Sequence, residues 1–166
     1  MAQKLNQLDG FIAQTLPLID EDTVFIVMGD HGMTEDGNHG GGTEDETDST
    51  LFIYSPSLRV ANHSMGSVVH QTDLPATLSL LLDTPIPFEN LGRLVMPLFQ
   101  GTDPSAQVHG LVDLYLNCHQ VLTFLQTYAE LSGQNNLKLD TVAAQLQDIQ
   151  QNQRSELNNT HVLEQL

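Results

Sequence analysis

The residues best suited to chemistry lie in one short run, residues 28–42, which reads MGDHGMTEDGNHGGG. It places Asp30, His31 and His39 within ten positions in a glycine-rich stretch. Carboxylate oxygen and neutral imidazole nitrogen are ligands that suit zinc or a similar divalent ion. The same pattern is also typical of an ordinary strand-to-helix turn, with Asp30 capping the next segment. The residue types alone therefore leave two hypotheses, a metal site and a plain turn.

An apolar segment, residues 23–28 with the sequence TVFIVM, comes directly before this run. A short apolar stretch rich in β-branched residues predicts a fully buried strand, and we expect it to be parallel to its neighbours. In open α/β sheets, ligands bind outside the carboxyl ends of the strands. Glycines there let the backbone turn sharply and approach a bound group closely. The position of the run after a strand therefore favours the metal interpretation.

Three stretches of the chain resemble a known family. Residues 27–56 resemble the alkaline phosphatase superfamily, and more closely the GPI ethanolamine-phosphate transferases, which carry GDHGM, a second His in H-G-G, and a strand ending in Y-S-P. Residues 71–92, QTDLPATLSLLLDTPIPFENLG, are similar to the family segment Q-x-D-L-x-P-T-L-x-L-L-x-G-x-P-I-P-x-x-N-L-G. Residues 4–9, KLNQLD, resemble the helix before the metal strand in the branch that modifies the third mannose.

The resemblance implies a site that holds two metal ions, expected to be zinc, with about six protein ligands and a Thr or Ser nucleophile. Position by position, Asp30 and His31 match ligands of the metal that activates the nucleophile, and His39 matches a ligand of the other metal. No Ser or Thr of this chain matches the nucleophile, so no catalytic residue is assigned. We expect the nucleophile and the remaining ligands to lie upstream of Met1, which would make this chain the C-terminal portion of a luminal catalytic domain.

The reaction implied by the resemblance transfers phosphoethanolamine from phosphatidylethanolamine to a mannose of the GPI anchor precursor. The intact protein would work on the luminal side of the endoplasmic reticulum membrane, anchored by regions outside this chain and joined by a small membrane-protein subunit. Two alternatives stay open: a metal-dependent phosphodiesterase or sulfatase-like hydrolase of the same superfamily, and a non-catalytic fragment. The similarity at residues 4–9 and 85–92 favours the transferase.

The composition of the chain narrows the classes of partner that it can bind. The chain has 166 residues, with 5 Lys and Arg against 21 Asp and Glu, and a net charge of −16. Such acidity argues against nucleic acid as a partner, because phosphates require Lys and Arg, and against charge-driven binding to anionic lipid. Residues 44–48, EDETD, are predicted to be a solvated loop; the alternative is that they attract metal ions or the ethanolamine cation. Because Cys118 is the only cysteine of the chain, no internal disulfide can form, and its position predicts a small core residue.

The predicted fold is α/β: an alkaline-phosphatase-like, mostly parallel sheet flanked by helices, incomplete at the N-terminus, with a helical C-terminal extension. We expect residues 1–104 to belong to the catalytic domain and residues 105–166 to form the extension or a linker towards a membrane region. Apolar spacing and breakers predict helices at residues 2–16, 72–82, 91–100, 108–131 and from 140 onward, with strands at 23–28 and 51–54. The Gln- and Asn-rich end, residues 145–159, is expected to be partly disordered.

The other histidines lack a partner motif. His63, His109 and His161 are predicted to be surface residues, and His119 lies on or beside a helix face. His70 precedes a predicted helix, and the fold could bring it towards the site. Two N-x-S/T triplets, at residues 62–64 and 158–160, suit a luminal glycoprotein.

Overall fold

The computed structural model describes residues 2–57, 68–99, 104–133 and 139–163. Contacts within the chain divide it into two compact units, Met1–Arg59 and Val60–Leu166. Both helices and strands are present, so the predicted α/β class is confirmed at that level. The predicted boundary at residue 104 concerns the complete catalytic domain and stays a prediction. The triplet at residues 62–64, with His63, lies outside the described residues.

The described part of the first unit, residues 2–57, contains two α-helices and two strands. Helix α1 spans Ala2–Thr15 and passes into a 3₁₀ turn, Leu16–Leu18, where Pro17 occupies a first-turn position that needs no N–H. Strand β1 is Phe25–Met28, helix α2 is Glu44–Thr47, and strand β2 is Leu51–Tyr54. The predicted first helix and both predicted strands are confirmed, and α2 was not predicted.

Strands β1 and β2 pair antiparallel, with Phe25 opposite Tyr54 and Met28 opposite Leu51. The prediction of a parallel, fully buried strand is therefore wrong for the part of the chain that the structure describes. Side chains of β1 are half-buried, and Met28 is 44% exposed. An apolar run indicates a strand but carries no information on the direction of its partner, and antiparallel sheets commonly leave one face to solvent.

The second unit is helical. Helix α3 spans Asp73–Leu81, a 3₁₀ turn spans Met96–Leu98, α4 spans Pro104–Ser132, and α5 spans Leu139–Leu163. The predicted helices at 72–82 and 108–131 are confirmed, whereas the predicted helix at 91–100 is only the 3₁₀ turn. Helix α5 continues through residues 145–159, where partial disorder was expected, and Gln is a good helix former.

The family-like segment at residues 71–92 forms a buried hydrogen-bond network at the start of α3. The buried Asp73 carboxylate accepts the backbone N–H of His70 at 3.0 Å and that of Arg93 at 2.8 Å. Thr77, which has no exposed surface, donates to the Asp73 carbonyl at 2.7 Å and accepts the Val95 N–H at 3.0 Å. These bonds attach the chain around residues 93–95 to the first turn of α3.

A second set of bonds attaches the turn before Gly92 to α3 and α4. The Asn90 side chain donates to the Thr72 carbonyl at 2.8 Å and accepts the Gly92 N–H at 2.9 Å. From α4, Asn117 donates to the Gly92 carbonyl at 3.1 Å, and Gln120 donates to the carbonyls of Phe88 and Asn90 at 2.7 and 3.0 Å. A Cβ at position 92 would overlap the Thr72 carbonyl, so glycine is required there.

The cysteine and three histidines of this unit are half-buried or exposed. Cys118 is a half-buried free thiol, and burial raises its pKa. His109 and His119 are exposed on α4, as expected for surface residues. His70 is exposed just before α3, and its predicted approach to the metal run stays a prediction. Among the helices that the structure describes, none combines the length and the apolar composition that crossing a bilayer requires.

Candidate metal centre

The metal run begins where β1 ends. The Gly29 N–H donates to the Thr50 carbonyl at 3.1 Å, so the first residue after β1 stays bound to the residue before β2. A Cβ at position 29 would overlap the Ser49 hydroxyl. Glycine thus lets the two chain segments approach closely, and Asp30 and His31 follow directly at the carboxyl end of the strand.

The hydrogen bonds of His31 fix which ring nitrogen is free. Its Nδ1 lies 2.7 Å from the Gly32 carbonyl oxygen, which can only accept, so Nδ1 carries the proton. In the neutral ring, the lone pair is then on Nε2. That atom lies 3.7 Å from Oδ2 of Asp30, while Oδ1 of the same carboxylate accepts the His31 backbone N–H at 3.1 Å.

This spacing fits a divalent cation. A neutral Nε2 and a carboxylate oxygen are both electron-rich, so they favour a cation or a proton between them. Two ligands about 2.0–2.2 Å from one tetrahedral zinc ion lie roughly 3.3–3.6 Å from each other, close to the observed separation. Metal-bound histidines commonly donate their other ring N–H to a backbone carbonyl, as His31 does to Gly32. The donor pair of Asp30 and His31 therefore suits one metal ion.

The plain-turn hypothesis required Asp30 to cap the next helix. The next helix is α2, which begins at Glu44, far along the chain from Asp30. Its N-terminal cap is Thr43. Asp30 therefore does not have the capping role that the alternative assigned to it.

His39 lies beside His31 despite the seven residues between them. The two rings are stacked, with centroids 5.0 Å apart and planes 4° from parallel. The His31 ring thus lies beside the Asp30 carboxylate and also stacks on the His39 ring. Within the described ranges, no group of three or more His, Cys, Asp or Glu residues is arranged to hold a single metal ion. The arrangement is a donor pair with a third possible ligand next to it.

The acidic stretch after the glycines is largely exposed to solvent, as predicted, but it is helical rather than a loop. Residues Glu44–Thr47 form the single helical turn α2, closed by a capping box between Thr43 and Glu46. The Glu46 carboxylate accepts the Thr43 hydroxyl at 2.7 Å, the Thr43 N–H at 3.4 Å and the Gly41 N–H at 3.1 Å. These bonds, led by the Thr43 hydroxyl, lower the pKa of Glu46. The sequence signal was present, because T-E-D-E is a capping-box pattern.

Helix α2 also contacts the chain just after His31. The Gly32 N–H donates to the Glu46 carbonyl at 3.0 Å. A Cβ on Gly32 would overlap the carbonyl oxygens of Asp45 and Asp48, so the helix packs directly on the glycine backbone. The two histidine-bearing parts of the run are therefore both attached to the same helical turn.

Comparison with known proteins gives relatives of one kind. The chain is 41% identical over 136 residues to the human GPI ethanolamine phosphate transferase 3, catalytic subunit; the match covers 78% of this chain and 12% of the relative. It is 48% identical over 99 residues to GPI ethanolamine phosphate transferase 3 of Schizosaccharomyces pombe, covering 57% of this chain and 11% of the relative. It is 33% identical over 144 residues to GPI ethanolamine phosphate transferase 2 of Yarrowia lipolytica, covering 78% of this chain and 16% of the relative.

These relatives confirm the resemblance to the GPI ethanolamine-phosphate transferases, and the higher identities to transferase 3 fit the third-mannose branch. The chain spans about an eighth of the length of the human relative. No family model matches the chain, and no solved structure matches it.

Proposed function

From this homology to the GPI ethanolamine phosphate transferases, we propose that the chain is part of an enzyme that transfers phosphoethanolamine from phosphatidylethanolamine to a mannose of the GPI anchor precursor. The observation that carries the proposal is the 41% identity to the human transferase 3 over 78% of the chain. We place the reaction at the endoplasmic reticulum membrane, on its luminal side. Anchoring would come from regions of the complete protein beyond this chain, and a small membrane-protein subunit is a further expected partner.

We propose that Asp30 and His31 hold one divalent ion and that His39 helps to hold a second, zinc being the expected metal. Ions held by these residues would neutralise charge on the transferring group. The chain itself orients the ligands. The His31 N–H holds the Asp30 carboxylate, and the Gly32 carbonyl holds Nδ1 of the His31 ring, so that Nε2 is the ring nitrogen on the Asp30 side.

The fold of the complete domain is part of the proposal. We propose that β1 and β2 are two strands of a larger alkaline-phosphatase-like sheet. An antiparallel pair is compatible with such a sheet, because many doubly wound folds carry an antiparallel strand on an otherwise parallel sheet. The hydrolase alternative would use the same ligands with water as the acceptor, but the names of the relatives support transfer.

The experiment that tests the proposal uses the complete protein in cells that lack the transferase. We expect Asp30→Ala, His31→Ala and His39→Ala each to abolish the display of GPI-anchored proteins. Losing a metal ligand lowers metal affinity and displaces the ligands that remain. Asp36→Ala, an exposed acidic residue of the same run, is the matched control and should restore display fully.

Full rescue by His39→Ala would remove His39 from the site. The same variants assayed with labelled phosphatidylethanolamine separate transfer from hydrolysis. Transfer places the label on the glycolipid, whereas hydrolysis releases it as free phosphoethanolamine. Release without transfer in the unmodified protein would favour the hydrolase.

A further inference from the structure

Glu46 contacts the metal run twice, through different atoms. Its backbone carbonyl accepts the N–H of Gly32, the residue after His31. Its side-chain Oε1 accepts the N–H of Gly41, two residues after His39. One residue therefore bridges the two histidine-bearing parts of the run, and neither contact uses a proposed metal ligand directly.

The backbone packs closely against α2 at Gly32 and against the Glu46 side chain at Gly41. A Cβ at position 41 would overlap the Glu46 carboxylate, just as one at position 32 would overlap the carbonyls of α2. The glycines thus allow the backbone to lie against Glu46 at hydrogen-bond distance. With both ends held, the stacking of the His31 and His39 rings at 5.0 Å depends on a fixed separation between the two backbone segments.

We propose that Glu46 is a positioning residue, which sets the distance between His31 and His39 by bridging Gly32 and Gly41. This inference rests on the proposed function, in which the two histidines bind the two metal ions. Glu46 acts through hydrogen bonds to the backbone of the run, and not through attraction between its negative charge and the metal ions. What matters is the reach of its side chain and the acceptor oxygen at its end.

Three substitutions of Glu46 separate the effect of its side-chain length from the effect of its negative charge. Glu46→Gln keeps the length and one acceptor oxygen for Gly41, and Gln is the natural alternative to Glu in a capping box. Glu46→Asp keeps the charge but shortens the side chain by one methylene, so it cannot reach Gly41. Glu46→Ala removes both. The proposal ranks metal binding as wild type, then Gln, then Asp and Ala, whereas attraction of cations by charge ranks Asp above Gln.

A further pair of variants separates positioning from simple capping of α2. Thr43→Ala removes the capping hydroxyl and leaves the bond from Gly41 to Glu46 in place. Gly41→Ala leaves Glu46 intact but forces its carboxylate away from the run. We expect Gly41→Ala to resemble Glu46→Ala in metal binding, and Thr43→Ala to resemble the wild type.

The measurement is zinc affinity of the purified complete protein, by competition with a coloured chelator, together with the visible spectrum of the cobalt-substituted protein. Replacing an outer-shell partner typically costs 10–100-fold in metal affinity, and we expect a loss of about that size for Glu46→Ala with a changed cobalt spectrum. Glu46→Gln should bind within a few-fold of the wild type with an unchanged spectrum. Thermal unfolding of each variant identifies any that fail to fold; the comparison of Gln with Asp then carries the test.

Two outcomes would overturn the inference. One is wild-type affinity and spectrum in both Glu46→Ala and Gly41→Ala. The other is wild-type binding in Glu46→Asp with loss in Glu46→Gln, which would assign the role to charge. Failure of the proposed function looks different: His31→Ala and His39→Ala would then leave zinc binding unchanged.

Discussion

The run at residues 29–50 and the segment at residues 71–95 both carry resemblance to the transferases, yet they use their polar side chains in opposite ways. In the first, the Asp30 side chain is 89% exposed and that of His31 is 41% exposed. In the second, Asp73 and Thr77 are buried and use their hydrogen bonds on the backbone of their own unit. A shared motif can therefore mark a site in one place and a folding constraint in another.

The largest expected effect that tests this contrast is the loss of the buried carboxylate. Asp73→Ala removes the buried carboxylate that accepts the N–H groups of His70 and Arg93, and a hydrogen bond to a charged group contributes about 1.5–3 kcal/mol. We expect the free energy of unfolding of the second unit to fall by a few kcal/mol, measured by urea denaturation. In the metal-free protein, Asp30→Ala is the matched control and should stay within about 0.5 kcal/mol of the wild type, as exposed positions usually do. Equal losses of unfolding free energy in Asp73→Ala and Asp30→Ala would contradict the contrast between the two regions.

A smaller effect is expected at Thr77. Thr77→Val keeps the shape of the side chain but removes the hydroxyl that joins the Asp73 carbonyl to the Val95 N–H. The orphaned Val95 N–H should cost about 1–3 kcal/mol, again read from urea denaturation. Thr141→Val, at an exposed position of α5, should change little. Wild-type stability of Thr77→Val would show that the chain near residue 95 finds other partners.

The next expected effect is local and depends on pH. The pKa of Glu46 is lowered from its ordinary value of 4.5, so its stabilising contribution is present above that value and is lost as the pH falls through the lower pKa of the folded state. The protection of the Gly41 amide against hydrogen exchange, measured relative to the intrinsic rate at each pH, should therefore fall in acid more than that of amides in α3. Glu46→Gln should remove this extra pH dependence, and an unchanged dependence in that variant would assign it to another group.

The smallest effect is expected at the acidic residues of α2 that contact solvent. Glu44→Gln should leave transfer and stability nearly unchanged, since exposed charges are screened over about 10 Å at ordinary salt. Display of GPI-anchored proteins by the complete protein checks it. A loss as large as that expected for His31→Ala would revive the alternative that the acidic stretch attracts the metal or the ethanolamine cation.

The sequence predicted what depends on near neighbours. Helical spacing located α1, α3 and α4, and the apolar run located β1, because periodicity is a local property. The pairing direction of β1 and β2 was not predictable in the same way, since a strand's own residues do not encode the direction of its partner. The bond from Asn117 to Gly92 joins residues 25 positions apart and leaves no local signal.

In the candidate site, too, the features that depend on near neighbours were predicted and those that depend on distant residues were not. Asp30, His31 and His39 stood out by residue type, and their proximity followed from a short glycine-rich run. The sequence prediction did not include a role for Glu46, because the acidic cluster was interpreted only by its charge. The pattern T-E-D-E nevertheless indicates a capping box. The bond between Glu46 and Gly41 could not be predicted from that pattern, because it depends on where the glycines turn the chain.

The run also contains a turn that closes on itself. The Thr34 N–H donates to the Asn38 carbonyl at 3.0 Å, and the Asn38 N–H returns to the Thr34 hydroxyl at 3.0 Å, leaving Glu35, Asp36 and Gly37 at an exposed tip. A chemical label at this tip would lie between the two histidines in sequence without touching the bonds that hold them. Cys118 is the one cysteine of this chain and is half-buried, so a thiol introduced at Asp36 would be the more exposed attachment point within it for an optical reporter of metal occupancy.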